Sequence, residues 1–515
     1  MTFLAYLPVL SAGFIWDDDT HVTNQPLLAT WDGLRAIWLQ PGATPQYYPL
    51  THSTFWLEYH LFALQPLGYH VVNVVLHTVN ASLVWLVLER LAVPGAWLAA
   101  AVFALHPVQV ETAAWITELK NLQSGLFYLL AMLAYLRFAL PGPGAGSKRL
   151  YGAALLAFAG ALLSKTVTST LPAALLICLW WKRGRLERRD VLLLIPFFIT
   201  GIACALVTAW LETWRVGAQG ADWVLSFPER CLVAGRALWF YAGKLVFPWG
   251  LTFIYPRWKI DATVWWQWLF PLAAAAVGAV LWGVRERLGA APLAAATYFA
   301  LTLAPALGFV DVYPFLYSFV ADHFQYLASI GLIALLVGAA TAQARRVSSR
   351  PFRLAGGAAL LLALGGAAWQ RTYAFTGVEV LWHDTLRKNP SAWLAYNNLG
   401  NLYLGQGKNA EAMQYFEKAL QFRPGLPMAL YNMGVASSGL GRLDEARRYY
   451  EETLRRAPAF AAAHNNLANV YLRQGRIEQA IEHYEKALAL VPNYQEARQN
   501  LNVARTLAGS QQAVQ

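Results

Sequence analysis

The sequence predicts an all-α chain in two parts: a polytopic helical membrane domain of about eleven spans, then a C-terminal α-solenoid of short helical repeats. Three observations carry this. Of the 515 residues, 57% are hydrophobic and 13% charged, whereas soluble domains run near 25% charged. Apolar runs near membrane-crossing length recur from Met1 to Trp369. Beyond Trp393 they give way to a pattern with a period of 34 residues. The formal charge of +11 lies in short Lys and Arg clusters between apolar runs, as membrane orientation requires, so no nucleic-acid partner is expected.

The apolar runs are 1–15, 68–89, 95–108, 119–140, 150–166, 170–182, 190–211, 264–284, 289–310, 323–343 and 352–370. Placing Arg90, Arg137 with Arg149, Lys182 to Arg189, Arg285 with Arg287, and Arg345 to Arg353 on the cytoplasmic side needs all of them to cross. That parity puts residues 17–19 and the C-terminal repeats outside, at the periplasmic face of an inner membrane. Met1–Ile15 is short for a span, which leaves either an upstream start or an unusually short helix. Residues 227–248 mix Arg230, Arg236 and Lys244 with Leu and Trp and suit the outer interface rather than a crossing. Residues 31–38 and 47–62 interleave aromatics with His52, Glu58 and His60, and read as outer-surface helices. Cys178, Cys204 and Cys231, odd in number and set in or beside apolar runs, form neither a disulfide framework nor a metal set.

The membrane domain is expected over 1–371 and a linker with a degenerate half-repeat over 372–392. Asn398, Asn432 and Asn466 recur at the repeat period, as do Gly407, Gly441 and Gly475, then Ala412, Ala446 and Ala480, then Phe416, Tyr450 and Tyr484, then Pro424, Pro458 and Pro492. Small residues where paired helices touch, an aromatic that fills the gap, and a Pro that ends the second helix make tetratricopeptide repeats at 393–426, 427–460 and 461–494. Residues 495–515 form a capping helix and tail. Such repeats hold a partner in a concave groove, and Asn397, Asn398, Asn432, Asn465, Asn466 and Asn469 on the first helices can hydrogen-bond a peptide backbone or simply mark a solvated face.

The chemistry centres on Phe14 to Asp19, where three carboxylates abut an apolar run. Ionised groups there need water, a cation or a cationic substrate group. Glu111, between Val110 and Thr112 beside a span end, has the same character. With the parity above, Asp17, Asp18, Glu111, Glu118, Lys120, Lys165 and the segment Ala321 to Tyr326 converge on one membrane face. A polyprenyl-phosphate sugar presents its phosphate and anomeric carbon at that level. Transfer needs a base for the acceptor hydroxyl and cations for the departing phosphate. An acidic pair supplies the base and can share a divalent cation, Mg or Mn, with Asp18 and Glu111 as candidate ligands. Lys165 and His323, with Lys120 or Arg236, are available for the phosphate. Duller readings stand beside these: Lys165 can snorkel to water, and His323 can pair locally with Asp322. No Gly-rich nucleotide loop is visible.

Together the Trp-Asp-Asp element, His106-Pro107 with Glu111, Ser164-Lys165, Ala321-Asp322-His323-Phe324-Gln325-Tyr326 and the repeats resemble the transmembrane and tetratricopeptide repeat-containing O-mannosyltransferase family. The resemblance covers nearly the whole chain. It implies a C-type glycosyltransferase (GT-C-like) core and a polyprenyl-phosphate mannose donor. By position it makes Asp17 or Asp18 the base, Glu111 a second acidic position, and Lys165 with His323 and Tyr326 donor-phosphate residues. Glu118 to Asn121 depart from the family pattern, as does His323 where many relatives carry Arg. The expected function is transfer of a hexose to a protein hydroxyl recruited by the repeats. The alternatives are a membrane-anchored repeat scaffold without catalysis, or a lipid-linked saccharide ligase or transporter.

Overall fold

A computed structural model describes residues 1–216, 224–347 and 349–514. Helices dominate, and no β-strand occurs among the described residues. The chain divides into two compact units, Met1–Leu381 and Trp382–Gln515. Gln515, at the end of the expected tail, lies outside the described residues.

In the first unit five helices are long and apolar enough to cross a membrane: Pro66–Arg90, Ile116–Ala139, Arg188–Trp214, Trp265–Leu288 and Arg350–Phe375. Two shorter apolar helices are Ala96–Leu105 and Ala291–Ala306. Lys148–Ser164, Leu171–Arg183 and Ser329–Val347 are helical at three more of the expected runs. Residues 1–15 form only the turn Thr2–Ala5 and the 3-10 segment Leu7–Ser11. The five long helices are fewer than the apolar runs because several runs break where polar segments enter. His106, held extended before Pro107, ends the Ala96–Leu105 helix.

The helix Ile116–Ala139 is the axis of the unit, with 67% of its apolar window buried, whereas Trp265–Leu288 has 6% buried and faces outward. Lys148–Ser164 and Pro66–Arg90 pack against that axis. Beside it Tyr135 meets Phe138 and Phe197 edge to face, as Tyr151 meets Phe197, and Tyr151 tilts against Phe138. A capping box between Glu187 and Asp190 starts the Arg188–Leu211 helix, and Arg183 pairs with Asp190 at 2.7 Å, fixing the turn between two helices. The segment expected not to cross forms the helix Phe227–Val246, whose Arg230 grips Asp311 with two bonds of 2.9 Å. Trp31–Leu39 and Pro49–Phe62 are helical, and Trp31, Trp38, Leu57 and Leu61 stay exposed on them, as aromatic and aliphatic interface anchors would.

The second unit stacks helix pairs Trp393–Gly405 with Asn409–Phe422, Pro427–Gly439 with Leu443–Arg456, and Ala461–Arg473 with Ile477–Leu490. The helix Gln495–Val514 closes the stack against the last pair. The glycines that recur in the sequence earn their period here: Gly407, Gly441 and Gly475 take φ near +75°, +75° and +73° in the turn between paired helices. Phe416, Tyr450 and Tyr484 are fully buried between the helices.

Candidate active site

Residues 102–125 are buried almost without interruption although their backbone is broken repeatedly. A 3-10 turn Pro107–Gln109, a short helix Val110–Ala114 and a second 3-10 turn Ile116–Glu118 precede the long helix from Leu119. Such irregular backbone is tolerated at membrane depth only inside protein or along a wet cavity. Here it carries Glu111, Glu118, Lys120 and Asn121 to the wall of a cavity of about 760 Å³. Three other breaks bring the remaining polar groups. Lys165, extended between the Lys148–Ser164 helix and the 3-10 turn Thr166–Thr170, enters from a hairpin. His323 enters from the 3-10 turn Asp322–Gln325. Trp16 takes φ +40°, a strained value for a bulky residue, and turns the chain so that Asp17 faces the cavity. Its ring stacks on Trp115 at 5.4 Å and meets Phe253 edge-on at 5.3 Å, which holds the strained turn in place.

Glu118 is fully buried at the cavity wall, with Lys120 Nζ 3.4 Å from Oε1, Lys165 Nζ 3.7 Å from Oε2 and His323 Nε2 4.0 Å from Oε1. Lys120, Lys165 and His323 thus cluster around one carboxylate, and Glu111, Asp17 and Glu212 line the same cavity, so cations and carboxylates are interleaved there. Glu111 accepts from Nδ1 of His323, so the other ring nitrogen is the one on the Glu118 side. Asn121 donates to the His323 carbonyl at 3.1 Å, locking that turn to the Leu119–Ala139 helix. Asp17 accepts from the Thr20 hydroxyl at 3.0 Å and lies 3.3 Å from His21. Burial raises the Asp17 carboxyl, but bonding to His21, the charges of His21 and Lys120, and the Thr20 bond outweigh it and leave the group below the usual carboxylate range.

The structure brings together Asp17, Glu111, Lys120, Lys165, His323 and Tyr326, which all line the cavity. It does not bring Asp18 or Arg236 there. Asp18 is fully buried and turned inward, accepting from Ile15 N at 2.8 Å and from both the amide (2.9 Å) and the hydroxyl of Thr117. Burial pushes it up to about 7 against those bonds. Arg236 rests on the Trp258 ring, 4.4 Å from its centroid, and does not line the cavity. Tyr326 contributes its ring, its hydroxyl being taken by His77 at 2.9 Å and Asn80 at 3.1 Å. Of the two residues expected to hold a divalent cation, Glu111 lines the cavity and Asp18 does not, its oxygens accepting from Ile15 and Thr117; no group of three or more His, Cys, Asp or Glu able to hold a metal occurs among the described residues. Sequence reasoning put Glu118 on this face without giving it a role and left out His21 and Glu212, and all three line the cavity. Glu118 carried the same signal as Glu111, a carboxylate at the mouth of an apolar run.

In the repeats, several groove amides are tied to neighbouring repeats: Asn432 donates to Asn401 at 2.6 Å, Asn465 to Glu496 at 3.1 Å and Asn466 to Tyr431 at 2.9 Å. Asn469 accepts from Asn500 at 3.1 Å and from Tyr484. Asn397 Oδ1, Asn398 Nδ2 and Asn465 Oδ1 are buried without a hydrogen-bond partner.

Comparisons with known proteins find similarity to two kinds of sequence. Tetratricopeptide-repeat family models match residues 393–426 and 431–495. The chain is 34% identical over 194 residues to Protein O-mannosyl-transferase Tmtc1 of Drosophila melanogaster, covering 35% of this chain and 21% of the relative. It is 34% identical over 145 residues to Protein O-mannosyl-transferase tmtc2 of Xenopus laevis, covering 26% and 17%. It is 30% identical over 151 residues to Protein O-mannosyl-transferase F38B6.6 of Caenorhabditis elegans, covering 27% and 22%. The matched stretches thus span 17 to 22% of these relatives' length. Among solved structures, the first TPR domain of human RPAP3 is 24% identical, covering 24% of this chain and 98% of that one with a TM-score of 0.23. The curated relatives of this chain are protein O-mannosyl-transferases of the Tmtc family, and the chain itself carries tetratricopeptide repeats at its C-terminal end.

Proposed function

We propose that this chain is a membrane glycosyltransferase that moves a hexose, mannose, from a polyprenyl-phosphate donor to a protein hydroxyl. The observation that carries the proposal is the convergence in one cavity of Asp17, Glu111, Lys120, Lys165 and His323 from segments far apart in sequence. In this reading the acceptor O–H bond breaks and its proton passes to Asp17. The acceptor oxygen bonds the anomeric carbon, and the bond from that carbon to the phosphate oxygen breaks, its electron pair leaving with the phosphate. Lys120 and Lys165, both beside Glu118, stabilise that departing charge. Glu111 orients His323 from behind through Nδ1. The cavity is also lined by Ala205, Ala209, Pro305, Ala306 and Val310, which suit the donor's isoprenoid tail. The repeats recruit the acceptor as an extended peptide. Site and repeats face the periplasmic side of the inner membrane, as the Lys and Arg distribution implies.

The test is incubation of the purified full-length protein with labelled polyprenyl-phosphate mannose and a periplasmic protein extract. Label on a protein supports the proposal. Label confined to lipid, or transferred to a glycan, contradicts it.

A further inference from the structure

Behind Asp17 two histidines stand in line. His21 Nε2 lies 3.3 Å from Asp17 Oδ2, His21 Nδ1 lies 3.3 Å from His52 Nε2, and His52 Nδ1 lies 3.0 Å from the Tyr48 carbonyl oxygen. Both imidazoles are buried and stack with centroids 5.4 Å apart. Hydrogen-bond logic fixes the protons from the far end. The Tyr48 carbonyl can only accept, so His52 carries its proton on Nδ1. Burial first, and then the nearby charge of His21, push His52 down to about 3, so its Nε2 is a bare acceptor. His21 must then donate from Nδ1. That leaves His21 Nε2 facing a carboxylate oxygen, and two lone pairs at 3.3 Å repel unless a proton lies between them.

We propose that His21 is the positioning residue for Asp17, locked by His52 and the Tyr48 carbonyl into an arrangement that always holds a proton on the Asp17 side. The device keeps the rear oxygen of Asp17 occupied and aims the rest of the carboxylate at the cavity. Other charged groups near it are Lys120 on the cavity side and Asp18 and Asp19 beside Asp17. The functional half of this inference rests on the glycosyl-transfer reading, while the proton placement does not.

The experiment uses full-length protein in lipid bilayers, labelled with ¹⁵N-histidine, and solid-state NMR of the ring nitrogens, with His21→Gln and His52→Gln giving the assignments by difference. At neutral pH the expected pattern is protons on both nitrogens of His21, and on Nδ1 alone of His52. A bare Nε2 on His21, or a protonated Nε2 on His52, overturns the proposal. A second arm follows transfer from polyprenyl-phosphate mannose against pH. Loss of the His21 charge in His21→Gln lets the Asp17 carboxyl rise, so the acid limb of kcat/KM moves up by about 1–3 pH units while donor KM holds. A merely structural histidine would lower the rate without moving the limb, and that result overturns the positioning role. Absence of transfer by the wild type would refute the enzymatic reading alone, and the NMR pattern would still decide the proton placement.

Discussion

Asp17 and Asp18 are neighbours with opposite fates, and substitution by Asn separates them. Every hydrogen-bonding neighbour of Asp18 is a donor: Ile15 N, Thr117 N and the Thr117 hydroxyl. Asparagine offers one acceptor oxygen and an NH₂ in place of the second. If that oxygen keeps both Thr117 bonds, the NH₂ faces Ile15 N–H, so one bond to a charged group is lost and two donors confront each other in a buried site. A bond of that kind is worth about 1.5–3 kcal/mol, and relief of the buried charge, which lifts the Asp18 carboxyl to about 7, works in the opposite direction, so Asp18→Asn stays within about 2 kcal/mol of wild type at pH 8. Asp17 is 35% exposed and bonded to Thr20 and His21, so Asp17→Asn costs about 1 kcal/mol or less. The assay pairs heat denaturation of the detergent-solubilised protein at pH 8, read by size exclusion of the surviving fraction, with mannosyl transfer. Asp18→Asn should stay within a few degrees of the wild-type midpoint and keep transfer, and Asp17→Asn should keep the midpoint and lose transfer. An Asp18→Asn protein as stable as wild type but inactive would refute the reasoning, as would a fully active Asp17→Asn.

Replacing either Lys120 or Lys165 by Met removes a cation from beside Glu118, and donor KM should rise about 10- to 100-fold; an unchanged KM would remove that lysine from phosphate binding. Burial, then the charge of Glu111, push Asp322 up to about 7. Its folded value exceeds the unfolded one of about 4, so its contribution is full below pH 4 and is lost as pH rises to 7. Asp322→Asn, which keeps an oxygen for Tyr255, should therefore gain on wild type in denaturation midpoint from pH 4 to 8, and a difference flat with pH contradicts this. Tyr450→Ala empties a buried position in the repeats and should destabilise them by about 3–5 kcal/mol in urea unfolding; a loss below 1 kcal/mol would mean that the aromatic does not hold the helix pair.

The repeats were the most legible part of the chain, because a fixed period reports packing directly: Tyr450 and Tyr484 are buried where the aromatic period put them. The membrane helices were legible as apolar runs, but their ends were not. Leu105 to Leu119 reads as one boundary between spans, and only the fold shows three short turns threading buried Glu111 and Glu118 inward. Asp17 and Asp18 cannot be told apart by composition, since what separates them is the left-handed turn at Trp16 and the donors of Thr117. Arg236 was assigned by sign of charge, and the neighbouring Trp258 ring decides otherwise. Glu118 received no role because Glu118 to Asn121 depart from the family pattern, and only one lysine, Lys120, stands near it in sequence. In the fold Lys165 joins Lys120 around it at the cavity wall.

The central claim is that Asp17 and the cations around Glu118 act on one lipid-linked sugar. The direct measurement is the rate at which wild-type and Asp17→Asn proteins, reconstituted in bilayers, move label from polyprenyl-phosphate mannose onto protein. Transfer by the wild type and none by a folded Asp17→Asn is the expected result. Equal rates from the two proteins, or no transfer by a folded wild type given a competent acceptor extract, would contradict the account.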